Sequence, residues 1–538
     1  MRKKLKKLML LLLSLSLLTG CGASSGTVAE TAPPEETPES AEPAGNAPAR
    51  RSAADDAFTL NFDPDGGCNP IRAASAANMQ FWSLLYDSVF TVDENFEVSS
   101  DIVTEITTAD NVWWVFHIRT DVCFSDGTPL TARDVAYSIQ RAQQSGYYRG
   151  RLKSVYGVGA LSDDTFAITA SQANSLLPAT LNIPIIKSGD YNEPWPPGSG
   201  PYMLEETHGA LVPNPLSRRA GEMPVDTVYL RDYMDAGERI SAFEEARIDV
   251  VTNDPTGMYN LGYGNGSETR YYDTTNLHFI GFNTRSNYFQ SAGARSAAAY
   301  LVDREAVVDE LMHGCGVTAA LPVHPRSALY DADYAASFRY DPEVAEALLR
   351  NAGVEDIDGD GEREFLITGI VVKSRVKFIV NNDSAVKVAA ARRLAAELNA
   401  LGVTTTLYEL SWEDYIAALE TGDYDMYYGE TRLRADWNLG ELFAVPDLNA
   451  RSVDWGQNYA RVTDDSYKRL YDEYLAAPEE QRYDAFQEAV HRVCDSAVLI
   501  PVCFERREVL THRGAVTGLR PTQYDLFHRF EEWNITLE

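Results

Sequence analysis

Phe124-Ser125-Asp126-Gly127-Thr128-Pro129-Leu130-Thr131-Ala132-Arg133-Asp134-Val135 is the stretch that decides the fold. Asp126-Gly127 and Thr128-Pro129 are turn chemistry: Gly supplies a positive φ and Pro presets the next bend. Thr131-Ala132-Arg133-Asp134 reads as a capping box opening a helix, whose buried face carries Val135, Ile139 and Ala142. Upstream, Val112-Trp113-Trp114-Val115-Phe116-His117-Ile118 has the β-branched and aromatic content of a buried strand. Strand, turn and capped helix thus follow one another within about 30 residues.

The same alternation continues outward. Asp383-Ser384 starts a helix that places Val388, Ala391, Leu394, Leu398 and Leu401 on one face and stops at Gly402. Val403–Tyr408 then reads as a strand, Trp412–Leu419 as a helix, Gly422-Asp423 as a turn and Tyr424–Tyr428 as a strand. Helices and strands in alternation indicate an α/β class. No internal repeat recurs at a fixed period.

The N-terminus has a different character. Lys3, Lys4, Lys6 and Lys7 precede an apolar run from Leu8 to Leu18, too short to span a bilayer as a helix. Leu18-Thr19-Gly20-Cys21 follows, and it resembles the lipobox of bacterial lipoproteins, which implies cleavage before Cys21 and diacylation of its sulfur. The alternative is an ordinary secretory signal with a chance cysteine. Residues 1–20 are therefore expected to be a signal peptide and 21–56 a lipid-anchored flexible linker. That linker is rich in Ala, Pro, Glu, Ser and Thr and nearly devoid of large apolar side chains, so burial cannot offset its ordering entropy.

About 480 residues remain, more than one hydrophobic core supports, so two or more lobes are expected. The chain holds 79 Asp+Glu against 47 Lys+Arg, a net charge of −32. Loss of Arg2, Lys3, Lys4, Lys6 and Lys7 with the signal leaves 42 basic residues and a charge of −37. Such a surface repels nucleic acid and anionic lipid and keeps the protein soluble outside the cell. Cys68, Cys123, Cys315, Cys494 and Cys503 form no Cys-x-x-Cys pair, which argues against a zinc knuckle or a thioredoxin motif. An oxidising compartment permits two disulfides at most among the five, with no pairing assigned.

Further blocks now join the first. Asn69-Pro70, Leu85–Phe90, Trp114–Arg119, Phe124–Val135, Gly198-Ser199-Gly200-Pro201-Tyr202, Phe282-Asn283-Thr284, Val302-Asp303-Arg304 and Tyr340-Asp341-Pro342-Glu343 together resemble the family 5 extracytoplasmic solute-binding proteins of ABC importers. The oligopeptide- and dipeptide-binding lipoproteins are members of that family. The likeness runs from about residue 58 to 510. It implies a two-lobed, periplasmic-binding-protein-like α/β fold of the class II (cluster C) type, closing on ligand by a hinge. The implied layout is an N-terminal lobe at 57–290 with an extra subdomain at about 75–185, a C-terminal lobe at 291–490, and a return to the first lobe at 491–538. Asn287–Arg295 departs from the family pattern, with Tyr288 and Ser291 where a proline and an aspartate are usual.

The resemblance also implies a site. In peptide-binding members an aspartate just after a strand receives the peptide's α-ammonium. Arg432-Leu433-Arg434-Ala435-Asp436-Trp437-Asn438 is the corresponding segment, with Asp436 matching that aspartate and Trp437 the aromatic after it. A partly desolvated carboxylate facing an ammonium makes a charge-assisted bond. Arg432 and Arg434 depart from the family: they either neutralise Asp436 internally or bind a ligand carboxylate. Trp455 either walls the cleft or sits in a core or surface loop.

Asp356-Ile357-Asp358-Gly359-Asp360-Gly361 has the start of a calcium loop, so Asp356, Asp358 and Asp360 are candidate ligands of a structural calcium. The twelfth position is Ile367 rather than the bidentate Glu of an EF-hand, and a plain turn is the other reading. No other cofactor is expected.

The function implied is a monomeric, membrane-anchored binding protein. It would capture short peptides on the outer face of the cell membrane and deliver them to an ABC permease with its cytoplasmic ATPases. Members of the fold also carry nickel chelates, haem, sugars and antibiotics, and a ligand-presenting sensor would look the same. A secreted hydrolase is the remote alternative: there is no Gly-x-Ser-x-Gly and no His-Glu-x-x-His, and the eight histidines stand singly.

Overall fold

The computed structural model describes residues 57–256, 261–263 and 267–537. The expected signal peptide, Cys21 and the linker to residue 56 lie outside the described residues. No helix among the described residues is long and apolar enough to cross a membrane.

The deciding stretch folds as read. Asp126 Oδ1 accepts from the Thr128 N–H (3.0 Å) and closes the turn at Gly127, whose φ is +83°. Helix Ala132–Ala142 begins with the Asp134 carboxylate accepting from the Thr131 N–H (2.8 Å), and Val135, Ile139 and Ala142 are buried. The preceding strand, Trp113–Ile118, differs from expectation. Its residues alternate outward and inward, and Trp113 is half exposed. It is a middle strand of an antiparallel four-stranded sheet, with Val103–Thr108 on one side and Thr165–Ala170 then Val155–Ala160 on the other. Such sheets cover only one face with core, hence the alternation.

The principal sheet has eleven strands among the described residues. From one edge the order is Thr404–Leu410, Arg375–Asn381, Met426–Arg432, Ser267–Phe282, Leu499–His512, Val250–Asn253, Phe58–Asn61, Val228–Arg231, Ala210–Pro213 and Tyr202–Leu204. Gly316–Thr318 also pairs with Leu499–His512. The two long strands run through both lobes. Their antiparallel pairing is regular over 267–273 and shifts register between Asp273 and Leu277. Bulges bend strands and add twist, so the lobes diverge here.

On one side of this crossing a single core gathers Phe58, Phe81, Phe116, Phe166 and Ile183 with Val509, Phe527, Phe530 and Trp533. The C-terminal segment therefore returns to the N-terminal lobe. The register shift lies inside the paired strands Ser267–Phe282 and Leu499–His512. On the other side the sheet is covered on both faces. Phe279 and Tyr427 face one layer, with helices Ser466–Ala476 and Glu479–Asp495; Ile280 and Tyr428 face the other, with helices Ala292–Ala299 and Ala385–Ala400. The two-residue side-chain period of strands makes this division.

Val92, Phe96 and Ala179 come from the N-terminal part yet pack in the first of these C-terminal layers. Ser175 N–H donates to the Leu475 carbonyl (2.6 Å) and Asn111 Nδ2 to that of Ala476 (3.3 Å). The lobes are in contact across the cleft.

The five described cysteines are unpaired. Burial pushes the Cys68 and Cys494 thiols up to about 12. At the departure from family pattern, Ser291 caps Ala292–Ala299 by accepting from the Ala294 N–H (3.4 Å), so the local turn is kept.

Candidate ligand cleft

The strand Met426–Arg432 ends at the cleft, and its residues from Tyr427 to Arg432 line it. Tyr427 and Gly429 face a cavity of about 450 Å³ with Phe279, Trp412, Tyr415 and Phe443. Glu430, Asp383 and Lys387 stand at its polar end. Thr431, Leu442 and Gln457 are shared with a second cavity of about 290 Å³. That one takes Tyr147, Gly150, Arg151 and Lys153 from the N-terminal lobe and Tyr524 from the C-terminal return. Its far wall is Arg432, Leu433, Arg434 and Ala435, followed by Asn438 and Glu441. The two make one groove with walls from both lobes.

Gly429 has a steric reason. A Cβ there would stand 2.5 Å from Phe279 Cζ and 2.9 Å from the Tyr427 ring. Only hydrogen lets both rings line the cavity.

The sequence-derived site residues separate. Arg432 and Arg434 line the second cavity. Asp436 does not: it is fully buried beneath them, with Oδ1 accepting from Arg434 Nε (3.2 Å) and from the Asn438 N–H (3.1 Å). Its Oδ2 has no hydrogen-bond partner, and its carbonyl accepts from Tyr474 OH (2.9 Å). Arg434 thus meets Asp436 through Nε while it also lines the cavity. Trp437 turns away from the groove with φ +51° and is buried between Phe96 and Phe504, ring centroids 5.0 and 6.0 Å away. Trp455 is half-buried and flanked by the guanidinium groups of Arg461 (5.1 Å) and Arg285 (5.6 Å); it lines neither cavity.

The candidate calcium loop is a turn knotted on its own backbone. Asp356 Oδ1 accepts from the N–H groups of Gly359 (2.7 Å) and Asp360 (3.1 Å), and Oδ2 from Gly361 (3.0 Å). Asp356 and Asp358 come together with Glu364, a residue the motif did not single out. Asp360 instead pairs with Lys373, which also meets Glu362 at 3.0 Å.

Beside the crossing lies a buried polar cluster that sequence reading missed. Asp273 Oδ1 accepts from Arg506 Nε (2.7 Å), and Oδ2 forms an ion pair with Arg326, whose Nε stands 2.9 Å away. His324 Nε2 stands 3.8 Å from Asp273 Oδ2, and its Nδ1 accepts from the Arg326 N–H (3.2 Å). Burial lowers His324 to about 4, against the opposing pull of Asp273. It is a neutral imidazole at neutral pH.

Residues 97–438 match the family model for the bacterial extracellular solute-binding proteins, family 5 middle region. The oligopeptide-binding protein AppA of Bacillus subtilis is 22% identical over 450 residues, covering 79% of this chain and 81% of that protein. The heme-binding protein A of Haemophilus influenzae is 23% identical over 432 residues, covering 73% and 76%. The unliganded open form of the periplasmic murein tripeptide-binding protein MppA superposes with a TM-score of 0.73 at 16% identity, over 91% of this chain and 99% of that one. With more than half its length matched and a two-lobed α/β architecture enclosing an interlobe groove, the chain belongs to the family 5 bacterial extracellular solute-binding proteins.

Proposed function

We propose that this protein is a lipid-anchored extracytoplasmic receptor that captures short peptides and hands them to an ABC permease driven by cytoplasmic ATPases. The observation that carries this reading is the continuous groove at the lobe crossing, with walls from both lobes and two joined cavities of about 450 and 290 Å³. That is the size range of small-ligand sites, and enclosure between hinged lobes couples capture to closure. Cys21, acylated after signal cleavage, holds the receptor at the outer face of the cell membrane. The curated relatives are named for oligopeptide and heme binding.

One observation favours a second reading, a non-peptide solute. The carboxylate at the position that meets the peptide amine in peptide-binding members is covered by Arg434.

Mass spectrometry of small molecules released from the purified, denatured protein separates the two. A ladder of short peptides supports the peptide reading. A single non-peptide compound overturns it and keeps solute capture.

A further inference from the structure

We propose that the ligand carries an oxyanion, a carboxylate or a phosphate, seated between the lobes by Arg151, Lys153, Arg432 and Arg434. This rests on the solute-capture reading above and deepens it.

The charge distribution of the groove is the starting point. In a chain of net charge −32, the smaller cavity is lined by four cations and one carboxylate, Glu441. Lys153 and Arg432 form no ion pair among the described residues, and both are exposed. Arg434 meets Asp436 through Nε alone. Arg151 is held without being neutralised. Its Nη1 donates to the Asn182 carbonyl (3.1 Å) and to Asn182 Oδ1 (3.2 Å). Its guanidinium carbon stands 4.9, 5.2 and 5.4 Å from the ring centroids of Tyr524, Tyr148 and Tyr147. Tyrosine faces attract a cation and fix its plane but add no negative charge. The fork remains oriented for an oxyanion.

The carboxylates of the groove are, by contrast, already engaged. Asp383 and Glu430 share Lys387 at 3.0 and 3.2 Å, and Glu430 also accepts from Asn276 Nδ2 (2.9 Å). Asp436 is buried under Arg434. Among the described lining carboxylates Glu441 alone has no ion pair, so an ammonium group finds little to meet. An oxyanion finds several donors.

The placement also bears on closure. Arg151 and Lys153 belong to the N-terminal lobe, Arg432 and Arg434 to the C-terminal one, and they line the same cavity. Like charges brought together from two lobes oppose closing, and an oxyanion between them reverses that sign. Binding and closure are then one event, because the ligand's differential contacts favour the closed state. The adjoining aromatic cavity takes the apolar part of the same ligand.

The test is calorimetric titration of the mature protein with N-acetyl-Phe-Glu, with Phe-Ala-amide, which has a free amine and no carboxylate, and with inorganic phosphate. The inference expects the acidic dipeptide or phosphate to bind at least about tenfold more tightly than the amide. Added salt should weaken that binding, and so should Lys153→Gln/Arg432→Gln, again by about tenfold. Whichever anion binds more tightly assigns the site to carboxylate or phosphate. Amide binding as tight as that of the anions, or an unchanged affinity in the double variant, overturns the inference and leaves solute capture standing. If no probe binds, the compound released on denaturation decides. An anion supports the inference, and a cation or uncharged molecule overturns it. No released compound and no binding together overturn solute capture itself.

Discussion

Arg434 and Asp436, two residues apart, form an ion pair of 3.2 Å in which the aspartate is fully buried and the arginine only slightly exposed. The aspartate's second oxygen has no hydrogen-bond partner. The charge is compensated on one side only, so the arginine is the group that makes burial of Asp436 tolerable. Replacing it leaves an uncompensated carboxylate, which costs about 3 kcal/mol or more in such settings. Arg434→Ala should lower unfolding free energy by that order in urea titration, and Arg434→Ala/Asp436→Asn should recover much of it. Equal stability of wild type and Arg434→Ala would show that Asp436 is not held by this pair.

The cluster at the lobe crossing makes stability depend on pH. His324 has its folded value lowered to about 4 from the ordinary 6.5, chiefly by burial. A group whose folded value is depressed binds its proton more readily in the unfolded chain. The stability it contributes is complete above about pH 6.5 and is lost as pH falls towards 4, at about 1.4 kcal/mol per unit. Asp273, Arg326 and Arg506 are the charged groups that face the ring. His324→Asn should flatten the slope of unfolding free energy between pH 6.5 and 4.5 relative to wild type. Parallel slopes would exclude His324 as its source.

Gly429 tests the aromatic cavity. Gly429→Ala must displace the rings of Phe279 and Tyr427, both of which line the cavity. Overpacking of this kind costs about 1–3 kcal/mol, and the rings can only move into the open space. The variant should fold with a lowered melting temperature and lose affinity for the compound found in the purified protein. Wild-type affinity would mean that the ligand does not reach this cavity.

These expectations differ in how far the sequence foretold them. The turn at Gly127, the cap of Asp134 on Thr131 and the stop at Gly402 (φ +80°) are local chemistry and were legible. Trp113 was misread as buried because composition does not say how many faces of a sheet are covered. Asp436 could be located but not its surroundings. Whether a carboxylate faces a cleft or lies under it depends on the turn at Trp437 and on Tyr474, 38 residues on. The smaller cavity had one unused signal: Tyr147-Tyr148-Arg149-Gly150-Arg151-Leu152-Lys153 is aromatic and basic in a strongly acidic chain. The larger one joins segments from Phe279 to Leu499, and no local pattern announces such convergence.

Phe96 and Trp437 supply the last prediction. Their rings meet edge to face at 5.0 Å, one from the N-terminal lobe and the other from the C-terminal core. Both are buried with the lobes in this arrangement. Edge-to-face pairs add about 0.5–1.5 kcal/mol to their area burial, and this pair adds it only while the two lobes are in contact here. Phe96→Ala therefore removes a term from this inter-lobe contact, and we expect the effect to fall on the arrangement of the lobes. Small-angle scattering of the ligand-free variant should give a larger radius of gyration than wild type, and ligand affinity should fall about threefold to tenfold, as closure draws more on binding energy. The unfolding midpoint of the open protein should move little. An unchanged radius together with unchanged affinity would show that Phe96 packs on Trp437 without biasing the hinge.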